Sequence, residues 1–136
     1  MESKNTGVAD DKSKVKKVIL IVDDSESIRG LIKSLLEDEY DIVTQNDGQE
    51  ALDYLAHGNR PDLILSDMEM PNMNGRTFVR RVNSDPRYGK IPIIFITSTN
   101  SDMLINSFKN MGIVNFIIKP FKPEELIGRV HDMFQF

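Results

Sequence analysis

Five polar residues each follow a short apolar run in this sequence, and their side chains are of types that can handle a phosphoryl group. They are Asp23, Asp24, Asp67, Thr97 and Lys119. Asp67 is the most informative of them, because the apolar run 63–65 leads up to it and Pro71 breaks the pattern soon afterwards. A buried strand that ends in this way places a carboxylate at the rim of a sheet, where open parallel sheets bind ligands.

The three aspartates predict a site for a hard divalent cation. Carboxylates that are held close together repel and raise one another's pKa, and a bound cation relieves that repulsion. The sequence contains no cysteine, and neither of its two histidines lies near these positions. A site built from oxygen ligands alone favours Mg²⁺, with Mn²⁺ as an alternative.

The same residues have the chemistry that phosphoryl transfer requires. Asp67 can act as a nucleophile that forms an acyl phosphate. Lys119 offers a compact positive charge and Thr97 a hydroxyl for the phosphoryl oxygens, so both positioning and charge neutralisation are provided. Each residue alone has an ordinary explanation as part of a turn, a helix cap or a strand. Their coincidence at the ends of separate strands favours a functional site.

The apolar pattern predicts the elements that must position these residues. Continuous apolar runs rich in branched residues predict four strands buried on both faces, and a more polar run predicts an edge strand. The buried runs are 18–22, 63–65, 93–96 and 116–118, and the polar run is 41–45. Apolar residues at helical spacing between the runs predict five helices. These residues are Ile28, Leu31, Ile32, Leu35 and Leu36; Ala51, Leu52 and Leu55; Phe78, Val79 and Val82; Leu104, Phe108 and Met111; and Leu126, Ile127, Val130, Met133 and Phe134.

Residues that favour helix starts support this division of the chain. Asn46 or Asp47 can cap the second helix, Asn100 or Ser101 can cap the fourth, and Pro123 suits the first position of the fifth. Strands and helices therefore alternate five times. Such alternation predicts a single α/β domain with a parallel sheet and right-handed crossovers.

Composition limits the classes of function. The 136 residues carry a net charge of -4 and are 40% hydrophobic, which suits one domain and argues against nucleic-acid binding. No apolar run is long enough to span a membrane and no secretory signal is present, so we expect a cytoplasmic protein. Residues 1–17 are rich in lysine and lack aromatic residues. We therefore predict a mobile polar tail ahead of a domain that covers residues 18–136.

Four segments resemble the receiver domains of response regulators in two-component signalling, the CheY-like family. The segments are Val22-Asp23-Asp24-Ser25, Leu65-Ser66-Asp67-Met68-Glu69-Met70-Pro71-Asn72-Met73-Asn74-Gly75, Ile91-Pro92-Ile93-Ile94-Phe95-Ile96-Thr97-Ser98 and Lys119-Pro120-Phe121. The resemblance covers nearly all of the chain outside the tail. It implies a doubly wound (βα)5 domain whose five-stranded parallel sheet has the strand order 2-1-3-4-5.

The resemblance also implies how the site works. Asp67 would accept a phosphoryl group from a phosphohistidine on a sensor histidine kinase or a histidine phosphotransfer protein. Asp24 would bind Mg²⁺ directly and Asp23 mostly through water. Glu69 would contribute its backbone carbonyl to the metal.

The implied output is a change of shape in the face formed by the fourth helix, the fifth strand and the fifth helix. Thr97 and Lys119 would bind the phosphoryl oxygens, and Phe116 would be the switch aromatic whose rotamer is coupled to Thr97. The altered face would then bind a downstream protein target. Homodimerisation through the same face is a habit of the family, and simple core packing is the alternative role of Phe116.

Some positions depart from the common family pattern. Ile113 stands where a small residue is usual, which affects the packing of the loop before the fifth strand. Phe116 lacks the hydroxyl of the commoner tyrosine. Glu69 and Thr99 flank access to the phosphoryl group, where we expect them to tune its hydrolysis. The Glu69 side chain could orient water or could only be solvated.

Two other classes of protein remain open from the sequence. One is an aspartate-nucleophile phosphohydrolase, although residues 67–70 lack the second aspartate of that motif. The other is a protein-interaction module whose acidic site is vestigial. We expect a non-enzyme that catalyses only its own phosphorylation and dephosphorylation, either as a stand-alone receiver or as the receiver portion of a larger regulator. We expect His57 and His131 to be ordinary solvent-facing residues.

Overall fold

The computed structural model describes residues 15–110, 112–113 and 115–135, in which strands and helices alternate. The strands are β1 Val18–Val22, β2 Asp41–Gln45, β3 Leu63–Asp67, β4 Ile93–Thr97 and β5 Phe116–Ile118. The helices are α1 Glu26–Leu36, α2 Gly48–Ala56, α3 Gly75–Ser84, α4 Asp102–Asn110 and α5 Pro123–Met133. Residues 1–14 of the predicted tail and Met111 of the predicted α4 stripe lie outside the described residues. The division into a tail and a domain from residue 18 stays a prediction.

The strands form one parallel sheet in the order β2-β1-β3-β4-β5, which confirms the predicted order 2-1-3-4-5. The register of the sheet brings the carboxyl ends of the central strands to one rim. Asp67 pairs with Ile96, and Thr97 pairs with Ile118. The backbone N–H of Lys119 then donates to the carbonyl of Thr97 at 2.7 Å. The polar residues that end these strands therefore share one edge of the sheet.

Helices cover both faces of the sheet, and successive strand residues point to opposite faces. On one face, α1 and α5 pack on a set of buried strand residues: Ile19, Ile21, Leu63, Leu65, Ile94, Ile96 and Ile117. On the other face, α2 and α3 pack on Leu20, Val22 and Ile64, while Phe108 of α4 packs near Phe95. Because both faces are covered, the strands appear in the sequence as continuous apolar runs rather than as alternating ones.

Side-chain caps fix where the helices begin, and these caps lie at the carboxyl edge of the sheet, where the site is. Ser25 Oγ accepts the N–H of Ile28 at the start of α1, and Asn74 Oδ1 accepts that of Thr77 at the start of α3. Of the predicted alternatives, Asp47 caps α2. Ser101 lies before α4, where its hydroxyl oxygen is 3.5 Å from the N–H of Leu104. The start of α5 at Pro123 is confirmed.

The predicted helical stripes are wider than the faces that the helices bury. Leu31 is 44% exposed and Leu104 is 41% exposed, although both fall at core spacing. Periodicity assigns a residue to an arc of the helix, whereas its burial depends on how closely the neighbouring elements approach. Ile113, the larger residue before β5, packs well, because it is only 5% exposed and lies in a cluster with Phe95 and Phe108.

Candidate functional site

Asp67 is the last residue of β3, and the loop that follows holds it at the rim of the sheet. The residue is 3% exposed, and its Oδ1 accepts the backbone N–H of Glu69 at 3.1 Å. Asn72 turns the loop with a φ of 68°, a conformation that asparagine tolerates. Gly75 then starts α3 so close to the loop that an added Cβ would lie 2.9 Å from the Cα of Met68. Glycine permits this approach and thereby sets the position of the loop.

Asp23 and Asp24 follow β1 directly and lie at the same rim. Asp23 is 1% exposed, and its Oδ1 accepts the backbone N–H of Ser25 at 2.8 Å. Its other oxygen, Oδ2, is buried without a hydrogen-bond partner among the described residues. Arg29 Nη1 of α1 donates to the Asp23 carbonyl at 2.6 Å, which ties this loop to the helix. Asp24 is exposed to solvent.

The sheet brings the three aspartates together, as predicted. One carboxylate oxygen from each of Asp23, Asp24 and Asp67 lies within 4.8 Å of the other two. Burial raises the pKa of Asp67 from 3.8 to about 6, and the neighbouring charge of Asp23 adds to the rise. Burial also raises the pKa of Asp23, with a smaller contribution from the charge of Asp24.

These properties of the acidic cluster fit a hard divalent cation such as Mg²⁺. The ionised cluster is destabilised by burial and mutual repulsion, which a positive charge would relieve. The unpartnered Oδ2 of Asp23 is a buried oxygen of the kind that a metal ion satisfies. Oxygen donors alone, with an exposed carboxylate on one side, suit an ion that retains part of its water shell.

Lys119 approaches Asp67 from the end of β5. Its Nζ lies 3.5 Å from Asp67 Oδ1, and its side chain is 23% exposed. The lysine charge lowers the pKa of Asp67 but does not cancel the effect of burial. This long ion pair leaves the ammonium group free to move toward an acceptor larger than the carboxylate.

Thr97 ends β4 and is fully buried, yet its hydroxyl does not donate to Asp67 in the described structure. Thr97 Oγ1 donates instead to Glu69 Oε2 at 2.5 Å and accepts the backbone N–H of Thr99 at 3.2 Å. Glu69 Oε1 accepts both the N–H and the hydroxyl of Ser98, at 3.1 Å and 3.2 Å. Glu69 therefore joins the loop after β3 to the loop after β4.

This role of the Glu69 carboxylate was not predicted from the sequence. The sequence left open whether this side chain orients water or is only solvated. In the structure it is hydrogen-bonded to Thr97 and Ser98, so it is not only solvated. One signal was available in the sequence: Glu69 follows β3, and three successive hydroxyl residues, Thr97, Ser98 and Thr99, stand at the end of the adjacent strand β4. Neighbouring loops with complementary donors and acceptors bond readily when the strand ends are level.

Phe116, the predicted switch aromatic, lies on β5 away from the acidic cluster. It is half-buried, and its ring meets that of Phe108 edge-on, with centroids 6.3 Å apart and planes at 73°. A switching role for Phe116 stays a prediction. His57 and His131 are both exposed, as expected.

The fold and the acidic rim are those of a CheY-like receiver, and comparison with known proteins agrees. Residues 19–131 match the family of the response regulator receiver domain. The chain belongs to this family of phosphoacceptor domains of two-component signalling, which confirms the resemblance inferred from its motifs.

Individual relatives include both single-domain proteins and much longer ones. The structure of Vibrio cholerae CheY4 has a TM-score of 0.80 and 36% identity, and the match covers 88% of this chain and all of that one. A Campylobacter jejuni chemotaxis protein CheY homolog is 32% identical over 117 residues, covering 85% of this chain and 90% of the relative. The Vibrio cholerae sensor kinase/phosphatase CqsS is 40% identical over 121 residues, or 88% of this chain.

The chain spans only a small part of several relatives that it matches. It covers 18% of CqsS and 32% of the Xanthomonas campestris cyclic di-GMP phosphodiesterase response regulator RpfG. The match to such proteins therefore concerns their receiver segments. Within the described part of the chain, no helix combines the length and the apolar character that crossing a membrane requires.

Proposed function

We propose that Asp67 accepts a phosphoryl group from a phosphohistidine on a sensor histidine kinase or a histidine phosphotransfer protein. The observation that carries this proposal is the setting of the Asp67 carboxylate, which is 3% exposed and grouped with Asp23, Asp24 and Lys119. Several relatives are named as histidine kinases, among them Formosa agariphila histidine kinase P4, which supports a partner of that class.

The proposed transfer needs a nucleophile and a neutralised phosphoryl group. A carboxylate oxygen of Asp67 attacks phosphorus, the new P–O bond forms as the P–N bond of the phosphohistidine breaks, and the electron pair of that bond returns to the imidazole nitrogen. A pKa of about 6 leaves Asp67 mostly ionised at neutral pH, while its raised basicity favours attack. The Lys119 ammonium neutralises charge on the transferred group.

Mg²⁺, or Mn²⁺ in its place, is the proposed cofactor. Asp23, Asp24, Asp67 and the backbone carbonyl of Glu69 would hold the ion. When bound, it would supply positive charge to the phosphoryl oxygens and relieve the repulsion among the carboxylates.

We further propose that the chain is not an enzyme with an external substrate and that it catalyses only its own phosphorylation and dephosphorylation. Hydrolysis of an alkyl phosphate ester is accelerated by a group that protonates the leaving oxygen. The acid closest in sequence to Asp67 is Glu69, and its carboxylate is occupied by Thr97 and Ser98. Asp67 would thus be phosphorylated and dephosphorylated within the cytoplasm, and the chain would not turn over a metabolite.

The proposed output surface consists of α4, β5 and α5. Thr97 lies just before α4, and Lys119 lies between β5 and α5, so both proposed phosphoryl ligands adjoin this face. Phe116 sits on β5 in a half-buried position from which a change of rotamer would alter the surface. The partner would be a downstream protein or a second copy of the domain, whether the receiver acts alone or within a larger regulator.

Intact mass after incubation with acetyl phosphate, with and without Mg²⁺, tests the proposed function. We expect a Mg²⁺-dependent gain of a single phosphoryl group that is labile to base. The gain should vanish in Asp67→Asn and persist in Asp38→Asn, which neutralises an exposed aspartate in the turn after α1. Absence of any adduct would favour a vestigial interaction module. Release of phosphate from p-nitrophenyl phosphate in many-fold excess over protein would favour a phosphohydrolase.

A further inference from the structure

We propose that hydrogen bonds of the Glu69 carboxylate hold the loop between β4 and α4 in the arrangement of the unphosphorylated protein. We call its three hydrogen bonds, to the Thr97 hydroxyl, the Ser98 N–H and the Ser98 hydroxyl, the Glu69 latch. The latch must open before a phosphoryl group on Asp67 can use the same donors. This inference rests on the proposed phosphorylation of Asp67 and concerns how that event is regulated.

The competition follows from the chemistry of the Thr97 hydroxyl. A hydroxyl carries one hydrogen and donates to one acceptor at a time. In this structure that hydrogen is directed to Glu69 Oε2 over 2.5 Å, a distance typical of a bond to an ionised acceptor. Thr97 is 0% exposed, so its hydroxyl has no contact with solvent while Glu69 is bound to it. A phosphoryl group and the Glu69 carboxylate are therefore alternatives for Thr97, and their negative charges also repel each other.

The latch also reaches the start of α4 through a continuous series of hydrogen bonds. Thr97 Oγ1, which donates to Glu69, accepts the N–H of Thr99 at 3.2 Å. Thr99 Oγ1 accepts the N–H of Ser101 at 3.3 Å, and Ser101 Oγ lies 3.5 Å from the N–H of Leu104 in the first turn of α4. Release of Glu69 would disturb the first bond of this series. The latch thus couples the phosphorylation site to α4 without involving Phe116.

Substitutions at Glu69 can separate the effect of its side-chain length from the effect of its charge. Glu69→Ala removes both, whereas Glu69→Asp keeps the charge on a side chain one methylene shorter. Both variants retain the backbone N–H that donates to Asp67. Glu39→Ala is the control, because it removes one exposed carboxylate from the turn between α1 and β2.

The first test measures amide hydrogen exchange by NMR in EDTA with no phosphodonor present. We expect the Ser98 N–H to exchange roughly tenfold faster or more in Glu69→Ala, because it loses its bond to the carboxylate. The Thr99 N–H should exchange faster as well, because its acceptor, Thr97 Oγ1, is no longer held by Glu69. Glu69→Asp should behave in the same way, and Glu39→Ala should match the wild type. Equal exchange at Ser98 and Thr99 in Glu69→Ala and wild type would overturn the latch.

The second test measures the rate of adduct formation with acetyl phosphate and Mg²⁺ in a double-mutant cycle with Thr97→Val. We expect Glu69→Ala to speed phosphorylation by roughly tenfold when Thr97 is present, and by less than about threefold in the Thr97→Val background. An equal gain in both backgrounds would show that Glu69 acts by charge alone and would overturn the latch. Faster exchange in Glu69→Ala with no adduct in any variant would instead reject the proposed function and leave the contact itself confirmed.

Discussion

Replacing Asp67 with asparagine should stabilise the metal-free protein at neutral pH, although it removes the proposed phosphoacceptor. Asparagine keeps the shape of the side chain and an oxygen that can accept the N–H of Glu69. It removes the negative charge that burial and Asp23 disfavour. The variant therefore resembles the protein with Asp67 protonated, and its stability should not depend on the titration of that residue.

The pKa of Asp67 sets the size of the effect. Its value is about 6 in the folded protein, against 3.8 for an ordinary aspartate. A rise of about two pKa units corresponds to about 3 kcal/mol of unfolding free energy. The folded wild type binds a proton on Asp67 more tightly than the unfolded chain does. Protonation of Asp67 therefore stabilises the folded wild type fully below pH 3.8, and this stabilisation is lost as the pH rises through about 6. Above that pH the variant should exceed the wild type by about 3 kcal/mol.

Urea denaturation in EDTA, at pH values on both sides of the interval between 3.8 and about 6, measures this difference. Asp38→Asn is the control, because its carboxylate is exposed and lies outside the acidic cluster. Its stability relative to wild type should stay nearly constant across the interval. The denaturant slope should be unchanged in both variants, since neither alters the area buried on folding.

Two results would refute this reasoning. If the difference in unfolding free energy between Asp67→Asn and wild type does not change with pH, the pKa of Asp67 is not raised in the folded protein. A less stable variant above pH 6 would show that the ion pair with Lys119, 3.5 Å away, outweighs burial and repulsion.

Three further predictions concern the metal, the lysine and the core. Mg²⁺ at about a hundredfold above its dissociation constant should raise the unfolding free energy of the wild type by about 2.7 kcal/mol, as followed by thermal melting. Asp24→Asn should lose most of that gain, and an equal gain would remove Asp24 from the metal site. Lys119→Ala should still bind Mg²⁺ by calorimetry, but phosphorylation should no longer alter its affinity for a partner; unchanged coupling would contradict the proposed role. Phe78→Ala should lower the unfolding free energy measured in urea by about 3–5 kcal/mol, because the ring is fully buried between α3 and the sheet. A decrease below about 1 kcal/mol would mean that the core closes around the cavity.

The alternation of strands and helices and the rim site could be predicted because burial leaves a strong pattern in the sequence, whereas the strand order was implied by the family resemblance. A strand covered on both faces must be apolar throughout, so a charged residue such as Asp67 can appear only where the strand ends. The same logic placed Thr97 and Lys119 at one edge. The roles of these residues followed from family resemblance as well as from residue type.

The contacts of flexible side chains could not be predicted in the same way. Glu69 has three rotatable bonds, and no periodicity in the sequence shows that its carboxylate reaches Thr97 and Ser98. Leu31 and Leu104 fit an apolar stripe, but the distance to the neighbouring elements leaves both more than a third exposed. Such features depend on tertiary distances, which a one-dimensional pattern does not contain.

The fifth strand has a consequence for the dynamics of the domain. β5 is three residues long, lies at the edge of the sheet and, among the described residues, is paired with β4 only. Few ladder bonds and a free edge give such a strand a lower free energy of local opening than the central strands β1 and β3. β5 nevertheless carries Phe116 and leads directly into Lys119. The cation that faces Asp67 thus follows a strand that opens more easily than the central strands, so β5 can fluctuate while the strands that hold the aspartates stay closed.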